Sequence, residues 1–336
     1  MLHLSVLDQS VAGVGKSHGQ TIRDTVAMAE LCESLGYKRF WVSEHHSHPT
    51  IVGTAPEILL ARIAMRTNRI RLGSAGVMLP HYAPLKVAEQ FRVLEAFAPG
   101  RIDLGLGRAP GTDGRTSLAL NPAAAERPAE FPNDVQDLAA WVSGQPLPEG
   151  HPFAAVQANP QGDTSPEIWM LGSSLYGAQV AAHFGLPYSF AWFFTEGQGG
   201  PEAIQIYRDR YQPSERFPEP CPGICVWALA AETEEEAHYH FASRARWQLY
   251  RDRGRYTALE SAETAVNAAY SESEIARMEQ LRQVAMVGTP DIVAERIRAL
   301  ATRLGIEEIA VVTWAHDEGV RRRSYELLAA EFGMAG

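Results

Sequence analysis

The sequence predicts an α/β fold, a (β/α)8 TIM barrel with insertions at the C-terminal face of the strands. Three observations carry this: eight short apolar runs, amphipathic segments between them, and a length of 336 residues. That length is natural for an eight-fold barrel with insertions. The runs are LSVL (4–7), RFWVS (39–43), IRLGSAG (70–76), RIDLGLG (101–107), EIWML (167–171), YSFAW (188–192), CVWALA (225–230) and EIAVVT (308–313). Most are continuous and rich in branched or aromatic residues, as parallel strands buried on both faces must be. An open doubly wound sheet shares the local grammar, but the count favours closure.

The first amphipathic segment reads as a helix capped by Thr21, with Ile22, Val26, Ala29 and Cys32 on one face and Gly36 at its end. Near the other end Thr289 caps and Pro290 fills the first turn. Val293, Ile297, Leu300 and Leu304 supply the apolar face there, and Gly305 terminates it. Segments 109–132 and 144–166, rich in Pro, Gly, Asn and Thr, and a helical excursion over 232–288 fit no simple strand–helix unit. They are expected as lids and rims of one domain spanning 1–336, because loops after barrel strands carry the ligand contacts.

Forty acidic against 30 basic side chains give a formal charge of -10, which repels phosphate backbones and anionic lipid, so nucleic acid and membrane surfaces are not expected partners. The N-terminus has no basic stretch followed by a long apolar one, and no apolar run approaches the roughly 18 residues of a membrane span, so a cytoplasmic protein is expected. The three cysteines, Cys32, Cys221 and Cys225, match neither a disulfide framework nor a paired zinc spacing and are read as reduced thiols.

Four strand ends carry residues with chemical potential. Trp41-Val42-Ser43-Glu44-His45-His46-Ser47-His48 would bring a carboxylate and imidazoles to the barrel mouth for acid–base work; no metal is expected, since neighbours in an extended segment alternate faces and no matching distant His or Cys set accompanies them. Gly73-Ser74-Ala75-Gly76 offers small side chains, suited either to a planar ligand or to close strand packing. Gly105-Leu106-Gly107-Arg108-Ala109-Pro110-Gly111 lacks the spacing and following helix of a dinucleotide loop. Arg108 is left either to grip a phosphate or to close the mouth as an ion pair. Leu171-Gly172-Ser173-Ser174-Leu175-Tyr176-Gly177 runs into a helix, as a phosphate cradle or a simple cap would.

In this order, EHH, GSAGVMLPHYAPLKVAEQFRVLEAFAPGRIDLGLGRAPG, LGSSLYGAQ and VGTPDIVAERIRAL resemble the bacterial luciferase-like monooxygenases over nearly the whole chain. The resemblance implies reduced FMN (FMNH2) as cosubstrate, O2 reacting at the flavin C4a position, a small organic substrate, a transient flavin reductase and a homodimer. It places Arg108 at the family's phosphate-contacting arginine and Gly172, Ser173, Ser174, Tyr176 and Gly177 in its phosphate loop. Ala75 and Gly76 match the pair beneath the isoalloxazine ring, where relatives carry a non-proline cis peptide. His45 matches the acid–base histidine. Gly107 stands where the luciferase catalytic subunit has a reactive cysteine, so the resemblance does not carry light emission with it. The alternatives are a deazaflavin (F420)-dependent hydride-transfer enzyme and a non-catalytic flavin-binding protein.

Overall fold

The computed structural model describes residues 2–123 and 126–334. Its strands are β1 (His3–Asp8), β2 (Arg39–Val42), β3 (Arg71–Met78), β4 (Ile102–Gly107), β5 (Glu167–Gly172), β6 (Tyr188–Phe190), β7 (Pro222–Ala230), β8 (Met286–Gly288) and β9 (Glu308–Val312). All pairings between them are parallel. β6 pairs with β7, β7 with β9, and β9 with β1, so every strand except β8 lies on one closed ring of eight. Each predicted apolar run falls on a ring strand. The fold is a (β/α)8 barrel.

Strand alternation sorts the side chains into two sets. Leu4, Val6, Phe40, Val42, Leu104 and Ile309 face outward under the helices, while Leu7, Trp41, Trp169, Trp227 and Val312 fill the interior. Near the strand N-termini the interior is polar. Asp103, fully buried, accepts from Arg39 Nη1 at 2.7 Å, Trp41 Nε1 at 2.9 Å and Arg71 Nε at 2.9 Å, which ties β2 and β3 to β4. Glycine is obligatory where β3 and β4 approach: a Cβ on Gly105 would lie 2.1 Å from Ser74 O, and one on Gly73 2.6 Å from Asp103 Cβ.

The structure corrects three element expectations. The first helix spans His18–Ser34 and is capped by Ser17, whose hydroxyl accepts from Gln20 N at 3.2 Å; Thr21 is a buried residue inside the helix. The serine starts one turn earlier and has the better-placed oxygen. The segment 232–288 is not helical throughout: helices Glu234–Asp252, Ala262–Val266 and Glu272–Val284 are followed by β8, which pairs with Ala228–Ala230 of β7. Three residues are too few to show a strand period. Within 109–132, apart from 124–125, which lie outside the described residues, helix Gly114–Leu120 and the start of helix Arg127–Ser143 replace the expected irregular chain. Segment 144–166 has neither helix nor strand. The helix Pro290–Leu304 has Thr289 at its N-cap position and Gly305 at its C-cap in the left-handed region, as read from the sequence, although the Thr289 side chain makes no capping bond.

Candidate active site

The four strand ends singled out in the sequence all lie at the C-terminal face, where β2, β3, β4 and β5 deliver residues 43–48, 75–82, 107–112 and 172–177. The barrel there is knit by Glu44. This buried carboxylate accepts from Tyr82 Oη at 2.6 Å and Met78 N at 3.1 Å, and lies 2.7 Å from His46 Nε2. Burial and the adjacent Glu44 carboxylate push the Tyr82 phenol well above its ordinary range, so it stays protonated and donates. The His46 main chain meets the loop after β4, with Thr112 Oγ1 donating to His46 O at 2.7 Å. Tyr82 lies in the quoted HYAPL motif, yet a tyrosine two residues before a helical proline carries no functional signal by itself.

His45 is half-buried, and its backbone N–H donates to Gly53 O at 3.0 Å. Its ring meets that of His48 edge-on, 5.9 Å between centroids. Nδ1 is shielded from solvent and has no hydrogen-bond partner among the described residues. Burial first, then the neighbouring His48 and His46, pulls its pKa down to about 4. In this environment His45 is neutral around pH 7, because a charged ring would lose hydration without gaining a partner.

The small residues of β3 divide into two groups. A Cβ on Gly76 would come 2.8 Å from Gly105 O, so this glycine serves strand packing, whereas Ala75 is only partly buried and packs at the edge of the interior cluster. The peptide between Ala75 and Gly76 is cis, as the resemblance implied.

Arg108 and the loop after β5 converge. The exposed guanidinium lies over the Tyr176 ring, 3.9 Å from its centroid, and it forms no ion pair among the described residues. The ion-pair alternative for Arg108 is thus not what the structure contains. Ser174 is the N-cap residue of helix Leu175–His183, but its side chain makes no capping bond. Gly172 and Gly177 face each other across the turn, a Cβ on the latter falling 3.7 Å from Gly172 Cα. First-turn N–H groups lack intrahelical acceptors, and here they share one corner with a free hydroxyl and an unpaired cation, a set of donors suited to a dianion. No hydrogen bond joins this corner to His45 among the described residues.

Among the described residues no three His, Cys, Asp or Glu side chains group as metal ligands, and the three cysteines are free thiols. No helix among them is long and apolar enough to cross a membrane.

Arg108 with the loop after β5, the small residues of β3 and the shielded His45 imidazole thus lie together at the C-terminal face of a (β/α)8 barrel. Residues 2–308 match the luciferase-like monooxygenase family, to which the chain belongs. The N-acetyl-S-alkylcysteine monooxygenase of Bacillus subtilis is 37% identical over 333 residues, covering 98% of both chains. The crystal structure of apo-MsnO8 superposes with a TM-score of 0.89 at 34% identity, covering 99% of this chain and 98% of that one. The oxygenating constituent of the 3,6-diketocamphane monooxygenase of Pseudomonas putida, a type II Baeyer-Villiger monooxygenase solved with FMN, shares the fold with a TM-score of 0.71 at 20% identity, covering 98% and 97% of the two chains.

Proposed function

We propose that the protein is a cytoplasmic flavin-dependent monooxygenase that uses reduced FMN and O2 to oxidise a small organic substrate. The observation that carries this reading is the stacking of unpaired Arg108 on Tyr176, beside the uncapped Ser174 hydroxyl at a helix start. Those residues fit the phosphate of FMN, and the orphaned Nδ1 of His45 fits a polar partner in the mouth. In the diketocamphane protein the same fold accommodates FMN.

Bound reduced FMN would supply the electrons and activate O2. The chain's own residues hold and shield it. Arg108, with Gly172, Ser173, Ser174, Tyr176 and Gly177, grips the phosphate; Ala75 forms a floor without bulky side chains, and Gly76, packed close on β4, lets that floor lie flat. Glu44, held by Tyr82, His46 and Met78 N, fixes the strand end that carries His45. The neutral His45 ring offers Nδ1 as a hydrogen-bonding site and passes a proton to or from a bound group.

A separate flavin reductase would deliver the reduced cofactor, since the described residues contain no second sheet that could bind a nicotinamide dinucleotide beside the barrel. A homodimer is the assembly we favour, supported by Ile58 and Met65, both exposed on or beside helix Pro56–Ala64, which lines an apolar groove against helix His18–Ser34.

Titration with FMN, riboflavin and F420, followed by oxygen consumption on addition of chemically reduced FMN, tests the reading. FMN should bind more tightly than both other ligands, and bound reduced flavin should consume oxygen on a course different from that in buffer. Preferential F420 binding would support hydride transfer, and flavin reoxidation unchanged by the protein would support a binding protein.

A further inference from the structure

Helix Glu234–Asp252 carries a cation that the cofactor corner does not use. Arg244 is 6% exposed, and its guanidinium sits between two indoles, 4.9 Å from the Trp227 centroid and 5.4 Å from that of Trp314. Trp227 belongs to β7 and Trp314 follows β9; both are part of the interior cluster of the barrel. The one hydrogen bond of the guanidinium runs from Nη1 to Gln248 Oε1 at 2.9 Å, and no carboxylate lies within ion-pair distance among the described residues.

The Glu196 carboxylate, which acts on Arg244 through space, is already engaged. Glu196 receives a bond from Gln248 Nε2 at 3.4 Å, and its carboxylate is occupied by Arg277 at 2.5 Å. Arg251, further along the same helix, adds a second positive field at Arg244. Burial pulls the Arg244 pKa down to about 9, which leaves it charged at neutral pH. A buried guanidinium without a counter-ion is costly, and stacking on two indoles offsets only part of that cost. Beside it is a cavity of about 40 Å³, bordered by Phe193, Trp227, Phe241 and the side chains of Glu196 and Gln248, with room for a head group but not a whole molecule. Trp227 Nε1 is buried and unpartnered, a further donor among these aromatic walls.

We propose that Arg244 is the specificity residue for the organic substrate, pairing with its carboxylate while the apolar remainder lies against Phe193, Trp227 and Phe241, which border the cavity. The site therefore takes monocarboxylates with an aryl or alkyl body. This deepens the monooxygenase reading, since the acid would be the molecule oxidised, but recognition of the acid itself needs no flavin.

The test exploits that independence. Tryptophan fluorescence of the flavin-free protein is titrated with phenylacetate, 4-phenylbutanoate and octanoate and with their methyl esters. At least one acid should bind about tenfold or more tightly than its ester, the margin of a charge-assisted pair. Arg244→Met should abolish that preference, Arg244→Lys should keep part of it, and FMN affinity should be unchanged in both. The thermal midpoint of Arg244→Met should equal or exceed that of the wild type, because the substitution removes an unpaired buried charge; a merely structural arginine would lower it. Equal binding of acids and esters, binding of no acid, or a preference that survives Arg244→Met would overturn the proposal. Failure of FMN to bind while the acids do would instead remove the flavin reading and leave this site standing.

Discussion

At the scale of single residues, Arg108 and His45 make different kinds of prediction. Arg108→Ala should weaken FMN by about 1.5–3 kcal/mol, the range for a hydrogen bond to a charged group, while riboflavin affinity stays constant. Equal weakening of both ligands, read by parallel titration, would take Arg108 out of the phosphate site. For His45 the sign follows from linkage. The unfolded ring protonates near 6.5 and the folded one only near 4, so between these values the unfolded state holds more protons and stability falls as pH falls. His45→Asn should remove up to about 2–3 kcal/mol of that loss between pH 6.5 and 4 and change nothing above pH 7.5 from this source. Urea unfolding of both proteins at pH 4.5 and 7.5 checks it, and parallel pH profiles would show that His45 is not buried neutral. Both residues were legible in the sequence because each stands at the end of an apolar run. Arg244 was not: in HYHFASRARWQLYRD a cation among polar residues reads as a solvated helix face, and only tertiary packing reveals the indoles around it.

At the scale of elements, β3 shows how one run of small residues serves two purposes. From sequence, the floor of a ligand site and close strand packing were equally good readings of Gly73-Ser74-Ala75-Gly76. The structure assigns Gly73 and Gly76 to packing, by approaches of 2.6 and 2.8 Å to any added Cβ, and leaves Ala75 facing partly open space. Their variants should therefore part company. Ala75→Leu should fold with a melting temperature near the wild type and lose FMN binding by about 100-fold or more, since a planar ring cannot share the floor with an isobutyl group. Gly105→Ala, opposite β3, should instead destabilise the barrel by about 1–3 kcal/mol or more through its clash with Ser74 O. Melting curves paired with FMN titration distinguish the two, and unchanged FMN affinity in Ala75→Leu would place the floor elsewhere. The eight ring strands were readable because burial on both faces writes continuous apolar runs, whereas β8, bonded only to the end of β7, spans too few residues to leave a pattern.

At the scale of the whole molecule, the barrel segregates its two polar systems. The C-terminal face presents Arg108 and the loop proposed to hold phosphate, and the opposite end is closed by an ion cluster in which Arg39 reaches Asp103, Glu167 and Glu308 on three different strands. Asp103 is the pivot, because it also receives Arg71, with Nη2 at 2.6 Å, and the Trp41 indole, and none of its surface meets water. The charge was visible in the RIDLGLG run, but nothing local could say that it pointed inward, since a single acid in an apolar strand fits either face. Removing one member of a buried ionic group leaves the others without compensation, a loss of about 3–5 kcal/mol. Asp103→Ala takes the shared carboxylate from Arg39 and Arg71, which keep Glu167 and, for Arg39, Glu308, and should therefore sit near the lower end; Asp103→Asn, which keeps acceptor and shape, should cost less. Each should lower the thermal midpoint by several degrees, given the usual slope for chains of this size. The proposed phosphate site lies on the other face of the same strands, so FMN affinity in protein that remains folded should be within about twofold of the wild type. Calorimetry gives the first quantity and FMN titration well below the transition gives the second. A variant that melts normally would show that water already screens the cluster, and one that melts early but also loses FMN would show that the two ends of the barrel are coupled through β4.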